Sequence, residues 1–244
     1  MLPLPQRYRE LFDAGFQERL RPYLSEGCYV LDVGSGRRPA IPPEERPADC
    51  YYVGLDVDGA ELELAPLGSY AETWTADITQ PLPPELVGRF DIVLSFQAVE
   101  HVSAVDSAIA HMGDALRPGG LLVFQTSGAF GVLPALVNRV VPRRLALGLL
   151  ARLTGRDPAT VFPAVYDRCW ASALESDLRS WDSPQVTPLF FGGFYLLSAP
   201  YLLWPYLAWE ELTKRARWKN LATHYLVSAI RPGSVADGSR GHGS

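Results

Sequence analysis

Short apolar runs recur along the first half of this chain, and each stops at a glycine, an acid or a polar residue. Cys28-Tyr29-Val30-Leu31-Asp32-Val33 ends at Gly34, Tyr51-Tyr52-Val53-Gly54-Leu55 at Asp56, Phe90-Asp91-Ile92-Val93-Leu94 at Ser95, and Leu121-Leu122-Val123-Phe124 at Gln125. A weaker run precedes Asp77. Runs this short and this apolar read as strands buried on both faces. Between the last two strong runs, Val102, Val105, Ile109, Met112 and Leu116 recur at helical spacing, which predicts a helix over 99–116. Strands separated by helices or long crossovers require a parallel sheet covered on both sides. A ligand of such a sheet sits beyond the carboxyl ends of the strands, where the strand order reverses. The residues able to do chemistry here fall at those ends.

The flanks are less regular. Tyr8, Leu11, Phe12, Phe16 and Leu20 predict an amphipathic N-terminal helix within residues 1–24. Residues 25–232 are expected to form one domain, with a helical cap inserted at about 129–168, and the Gly/Ser-rich 233–244 a disordered tail. Within the cap region, Val132 to Leu153 reads as one or two amphipathic helices broken at Pro142; after it, Cys169 to Trp181 reads as another helix. Leu189 to Trp209 is apolar and aromatic, while Ala222 to Ile230 reads as a final strand.

The Asp32-Val33-Gly34-Ser35-Gly36 turn lets main chain approach a ligand closely, because glycine has no Cβ in the way. Asp56 ends the second run twenty residues after Gly36, where a carboxylate can accept both hydroxyls of a ribose. Asp32 adds a second carboxylate beside the turn. A dinucleotide site must hold a pyrophosphate, which that extra anion would repel, and Pro39 stands where the third glycine of the dinucleotide pattern belongs. A cationic sulfonium carrying an amino-acid tail suits the same acids.

Val30-Leu31-Asp32-Val33-Gly34-Ser35-Gly36, Val53-Gly54-Leu55-Asp56, Ala76-Asp77-Ile78, Phe90-Asp91-Ile92-Val93 with Glu100-His101-Val102, and Leu116-Arg117-Pro118-Gly119-Gly120 follow one another in a telling order. Over about residues 25–127 this set resembles the class I S-adenosylmethionine-dependent methyltransferases. The resemblance implies an α/β, Rossmann-like, seven-stranded sheet whose last strand is antiparallel, flanked by helices. It places Asp32, Gly34, Ser35 and Gly36 around the methionine part of the cofactor and Asp56, followed by Val57, at the ribose. Asp77 and Ile78 would flank the adenine, and Ser95, Phe96 and Gln97 would close the pocket. S-adenosylhomocysteine would be the product. The 36–39 turn and the Phe162-Pro163 and Tyr166-Asp167-Arg168-Cys169 segments are similar to a bacterial subgroup of surface-polysaccharide and natural-product pathways.

For such an enzyme the first duty is to align donor and acceptor in a dry pocket. A hydroxyl acceptor also needs its proton removed, and His101 is the candidate base, since imidazole titrates near neutral pH. The alternative for His101 is packing and backbone hydrogen bonding. Some relatives hold a divalent ion with Glu-x-x-Glu-His. Here Gln97-Ala98-Val99-Glu100-His101 replaces the first anion with an amide, so the expected chemistry uses no metal. Tyr166 and Arg168 are candidate acceptor contacts, in a segment whose arginines could clamp an anionic acceptor or simply solvate helix faces.

The expected reaction is methyl transfer to oxygen on a small-molecule acceptor such as a sugar or natural-product intermediate. Competing readings are a non-methylating cyclisation or rearrangement on the same fold, a binding protein that kept the pocket, and a lipid or quinone methyltransferase at a membrane surface. A net charge of −5 argues against a nucleic-acid partner. Three cysteines without a CxxC pair argue for a reducing compartment. With no basic head leading an apolar stretch at Met1–Pro5, a cytoplasmic location is expected. Gly192, Gly193, Pro200 and Pro205 interrupt the 189–209 stretch, which therefore reads as a core, dimer-forming or acceptor-facing element rather than a spanning helix, with peripheral contact to lipid left open.

Overall fold

The computed structural model describes residues 4–131, 164–197 and 200–233. The expected helices of the cap at 132–163, the Phe162-Pro163 pair and the tail from 234 onward lie outside these residues. Seven strands form one sheet: β1 Tyr29–Val33, β2 Tyr51–Asp56, β3 Glu72–Thr75, β4 Phe90–Phe96, β5 Leu116–Ser127, β6 Asp182–Leu189 and β7 His224–Ile230, in the order β3-β2-β1-β4-β5-β7-β6. The first five run parallel and β7 pairs antiparallel with both β5 and β6. The sheet is the expected one. Its order reverses between β1 and β4, the place where open sheets of this kind take their ligands.

Both faces are covered. Phe16 and Leu20 of α1 (Ala14–Leu20) pack with Val30, Tyr52, Ile92 and Val123 on one side. On the other, Ile109 and Met112 of α3 (Val105–Ala115) and Leu174 of α4 (Ala171–Asp177) meet Leu31, Val93 and Phe124. Each such buried side chain contributes roughly 1.5–3 kcal/mol of transfer free energy. Between β2 and β3 lies a short α2 (Gly59–Glu63), and α5 (Pro200–Arg215) joins β6 to β7. Among the described residues no helix is long and apolar enough to cross a membrane.

Three expectations change at the element level. The N-terminal helix is broken into a 3-10 turn at Gln6–Tyr8, an irregular stretch, α1 and a second 3-10 turn at Arg21–Tyr23. Tertiary bonds override its periodicity: Tyr8 donates to the buried Glu210 and Phe12 O accepts from Gln125 Nε2. The helix expected from Val99 starts at Val105, after a 3-10 turn at Val99–His101. Strand β6 was not read from the sequence at all. It carries Pro184 and Pro188, which an edge strand tolerates because one side of its ladder is unpaired.

Candidate active site

The turn after β1 is shaped by two glycines in the left-handed region. Gly34 (φ +73°) donates its N–H to Leu55 O, and a Cβ on it would lie 2.3 Å from Ala98 Cβ. The loop leaving β1 therefore crosses the segment leaving β4 in contact, which only glycine allows. Gly36 (φ +46°) donates its N–H to Asp56 Oδ2 at 2.9 Å, and its carbonyl accepts from the Tyr70 hydroxyl. Asp58 N–H occupies Asp56 Oδ1, also at 2.9 Å. Partial burial raises the Asp56 carboxyl above its ordinary value against these two N–H bonds, with Asp58 and Glu61 adding to the rise. The tips of β1 and β2 are thus locked together around one half-buried carboxylate.

Asp32, the other acid of the motif, is directed elsewhere. It is 1% exposed, and its Oδ2 accepts from Ala40 N–H and from the Tyr52 hydroxyl, both at 2.7 Å. Burial lifts its carboxyl to about 6 despite those bonds and the nearby Arg46. It latches the 36–41 loop from below. Arg37 is likewise committed, forking onto Glu61 at 2.7 and 2.6 Å.

At the third tip, Ser95 is fully buried and donates to Val33 O, stitching β4 to β1. Phe96 packs against Phe12 and Phe16. Gln97 sits at φ +56°, uncommon for a residue with a side chain, with its N–H on Gln125 O and its Oε1 accepting from Ser127 Oγ. Val57 is exposed beside Asp56. Asp77 is exposed and caps its own turn through Thr79, while the adjacent Ile78 is buried.

Glu100 and His101 separate sharply. Glu100 is 5% exposed; Thr126 and Ser127 donate their hydroxyls to its two oxygens, and its carbonyl accepts the N–H groups of Val165 and Tyr166. It is the knot that ties β4, β5 and the returning 164–170 segment. His101 lies exposed on the outside of the same 3-10 turn. The knot brings Tyr166 to the strand tips in a left-handed conformation, whereas the Arg168 guanidinium is paired with Asp177 of α4. Among the described residues no three His, Cys, Asp or Glu side chains gather as metal ligands.

Beside Gln97, which the sequence did single out, two further residues stand near the ends of these strands without having been named as site residues, Gln125 and His224. Gln97 Nε2 and Gln125 Oε1 are buried polar atoms with no hydrogen-bond partner among the described residues. His224, at the start of β7, lies edge-on to Phe12 with ring centroids 4.9 Å apart, and burial depresses its imidazole to about 4. The polar Gln125-Thr126-Ser127 ending of an apolar strand was the legible hint that chemistry begins there.

With the glycine turn and the Asp56 carboxylate placed at adjacent strand tips, comparison with known proteins supplies the family. The methyltransferase-domain family matches residues 6–183. A ubiquinone biosynthesis O-methyltransferase of Chelativorans sp. (strain BNC1) is 30% identical over 151 residues, 61% of this chain and 58% of that protein. The namesake protein of Mesorhizobium japonicum is 28% identical over 156 residues, 63% and 61% respectively. The chain thus spans about three fifths of the length of these curated relatives. A Haemonchus contortus phosphoethanolamine N-methyltransferase 2, solved with phosphomonomethylethanolamine and S-adenosylhomocysteine, shares the fold at TM-score 0.56 and 13% identity, covering 90% of this chain and 52% of that one. Sheet order, pocket-forming tips and family match lead to one identification: the chain belongs to the methyltransferase-domain family, the class I S-adenosylmethionine-dependent enzymes.

Proposed function

We propose that this protein transfers a methyl group from S-adenosylmethionine to an oxygen of a small acceptor. The observation that carries this reading is the Asp56 carboxylate held by Gly36 and Asp58 at the switch point of the sheet. Both N–H bonds fix its orientation before any ligand arrives, so its remaining lone pairs can accept ribose hydroxyls with little ordering cost. Gly34, Ser35 and Gly36 would run beside the methionine part, with Asp32 holding their loop from beneath. Ile78 and Val57 offer apolar cover for the adenine and Asp77 a polar rim, while Ser95, Phe96 and Gln97 would form the wall toward the acceptor. The sulfonium supplies an activated methyl group and a neutral thioether leaving group.

What the chain adds is placement and a proton acceptor. Oxygen is favoured because the curated relatives carry an O-methyltransferase name. The acceptor hydroxyl would lie over the tips of β4 and β5, where Gln97 Nε2 can donate and Gln125 Oε1 can accept. His101, exposed beside that edge, would take the hydroxyl proton, and Tyr166 would line the far side. Arg168 enters this scheme only by letting go of Asp177. A sugar, a natural-product intermediate or a phenolic quinone precursor each offers a suitable hydroxyl. The chemistry as drawn uses no metal.

Calorimetry with S-adenosylhomocysteine tests the cofactor half. Asp56→Ala should weaken binding by about 1 kcal/mol or more, the worth of hydrogen bonds to a charged group. Equal affinity, or silence of the wild-type protein toward the cofactor at millimolar concentration, overturns the reading. S-adenosylhomocysteine release with sugar and catechol panels then identifies the acceptor, and His101→Ala should cut turnover without changing cofactor affinity.

A further inference from the structure

Helix α5 is inside out. Its buried face holds Glu210 and Thr213 beside Leu203, Tyr206 and Leu207. Glu210 accepts from Arg7, from the Tyr8 hydroxyl and from Gly192 N–H, so the buried acid of the helix is spent on the N-terminal segment and the turn at 192. Its outward face from 201 to 212 consists of Tyr201, Leu202, Pro205, Ala208, Trp209 and Leu212. Their spacing of three, four and seven residues makes one continuous apolar stripe. Tyr201 is 93% exposed and Leu202 62%. A water-facing stripe of this kind marks a contact surface.

Its charge pattern indicates what the surface meets. At the carboxyl end of the stripe Trp209 lies against the half-exposed Trp218, with ring centroids 6.1 Å apart. Lys214, Arg215, Arg217 and Lys219, all exposed, lie close to this pair in sequence. Glu211 is engaged by Arg7 and Arg215, and Glu175 by Lys219, which leaves Lys214 and Arg217 without a carboxylate among the described residues. An apolar face with tryptophans at its margin and cations beyond them matches the interface of an anionic bilayer. A second copy of this chain would bring the cationic end against residues 201–209, which offer no acid.

We propose that α5 docks this protein on an anionic lipid surface, lying in the plane of the headgroups. The helix links the end of β6 to the start of β7, on the edge of the sheet where Gln125 and His224 lie. Docking would therefore present the acceptor side of the pocket to the bilayer, where a hydroxyl on an apolar-tailed acceptor resides. That last step rests on the proposed methyl transfer; the docking itself does not.

Flotation of the full chain with vesicles of phosphatidylcholine, alone or mixed with phosphatidylglycerol, tests it. The protein should float with the mixed vesicles only, and its tryptophan emission should shift to the blue. Leu202→Gln combined with Leu212→Gln should abolish flotation while S-adenosylhomocysteine affinity stays at the wild-type value. Lys214→Ala combined with Arg217→Ala should lower partitioning about thirtyfold, the loss expected for two surface cations. Should the double glutamine variant fail to fold, Tyr201→Ser, at a site exposed to water, serves in its place. Absence of flotation, equal binding to neutral vesicles, or a dimer that disappears in the same variants without any lipid binding would each overturn the proposal. Cofactor binding without flotation refutes the docking alone, and flotation without cofactor binding refutes only the methyl-transfer reading.

Discussion

Gly34→Ala is the sharpest probe of how the pocket is built. Two costs add. A side chain at φ +73° pays about 1–2 kcal/mol for the left-handed backbone. The new methyl would also stand 2.3 Å from Ala98 Cβ. Carbon atoms rest near 3.5–4.0 Å, so either the β1 loop or the β4 loop must move by more than about 1 Å, at a further 1–3 kcal/mol. The single variant should lose about 2–5 kcal/mol in urea unfolding and, if both displaced loops line the cofactor site as proposed, bind S-adenosylhomocysteine poorly. Adding Ala98→Gly removes the overlap, because the next atom, Ala98 Cα, is an ordinary 3.8 Å away. The double variant should then keep the backbone cost and lose the steric one. A Gly34→Ala protein as stable as wild type, or one that Ala98→Gly does not rescue, refutes the crossing of these loops as the foundation of the pocket.

Asp32 gives a prediction in pH. Its carboxyl titrates at about 6 folded against an ordinary 3.8, so between those values the folded state retains a proton that the unfolded chain has released. Its contribution to stability therefore falls as pH rises through that window, by roughly 3 kcal/mol, against the opposite contribution of His224, whose imidazole burial depresses to about 4. Asp32→Asn should make stability rise more steeply with pH than in wild type, and identical slopes in urea titrations between about pH 4 and 7 would dismiss it. Gln97→Glu places a second carboxylate where Ser127 Oγ already serves both Gln97 Oε1 and Glu100 Oε1. That variant should be less stable than wild type without divalent cations and recover with added magnesium, whereas wild type should ignore both magnesium and chelator in thermal melts.

The parallel strands were legible because burial on both faces forces continuous apolar runs, as Val30–Val33 and Leu121–Phe124 display. Strand β6 was hidden because an edge position permits the very prolines that argue against a strand in sequence. The helix after β4 was extended too far N-terminally: Val99 and Val102 keep the period, but the Glu100 carbonyl and carboxylate are pulled to residues 126, 127, 165 and 166, and that pull cannot be read from spacing. The two motif acids show the same boundary. Both stand where the fold needs a carboxylate, yet only the third dimension tells that Asp56 is held by Gly36 and Asp58 while Asp32 turns toward Tyr52 and Ala40.

In the proposed reading the site has two halves that are assembled differently, and this bears on what each would recognise. The cofactor half is made by neighbours: residues 34–36, 56–58 and 95–98 at adjacent strand tips, braced by backbone N–H bonds to Asp56. The acceptor half joins segments far apart in the chain. Phe12 reaches it because Arg7 and Tyr8 are anchored on Glu210, Gln125 because its Nε2 bonds Phe12 O, and Tyr166 because Glu100 holds its N–H. His224 packs against the same phenyl ring. A change of acceptor can thus follow from moving the N-terminal segment, the 164–170 segment or α5 without disturbing the glycine turn. On that reading the motifs of residues 30–57 would meet the methyl donor, whereas the acceptor side would be set by contacts between residues far apart in sequence, such as Tyr8 with Glu210 and Gln125 with Phe12.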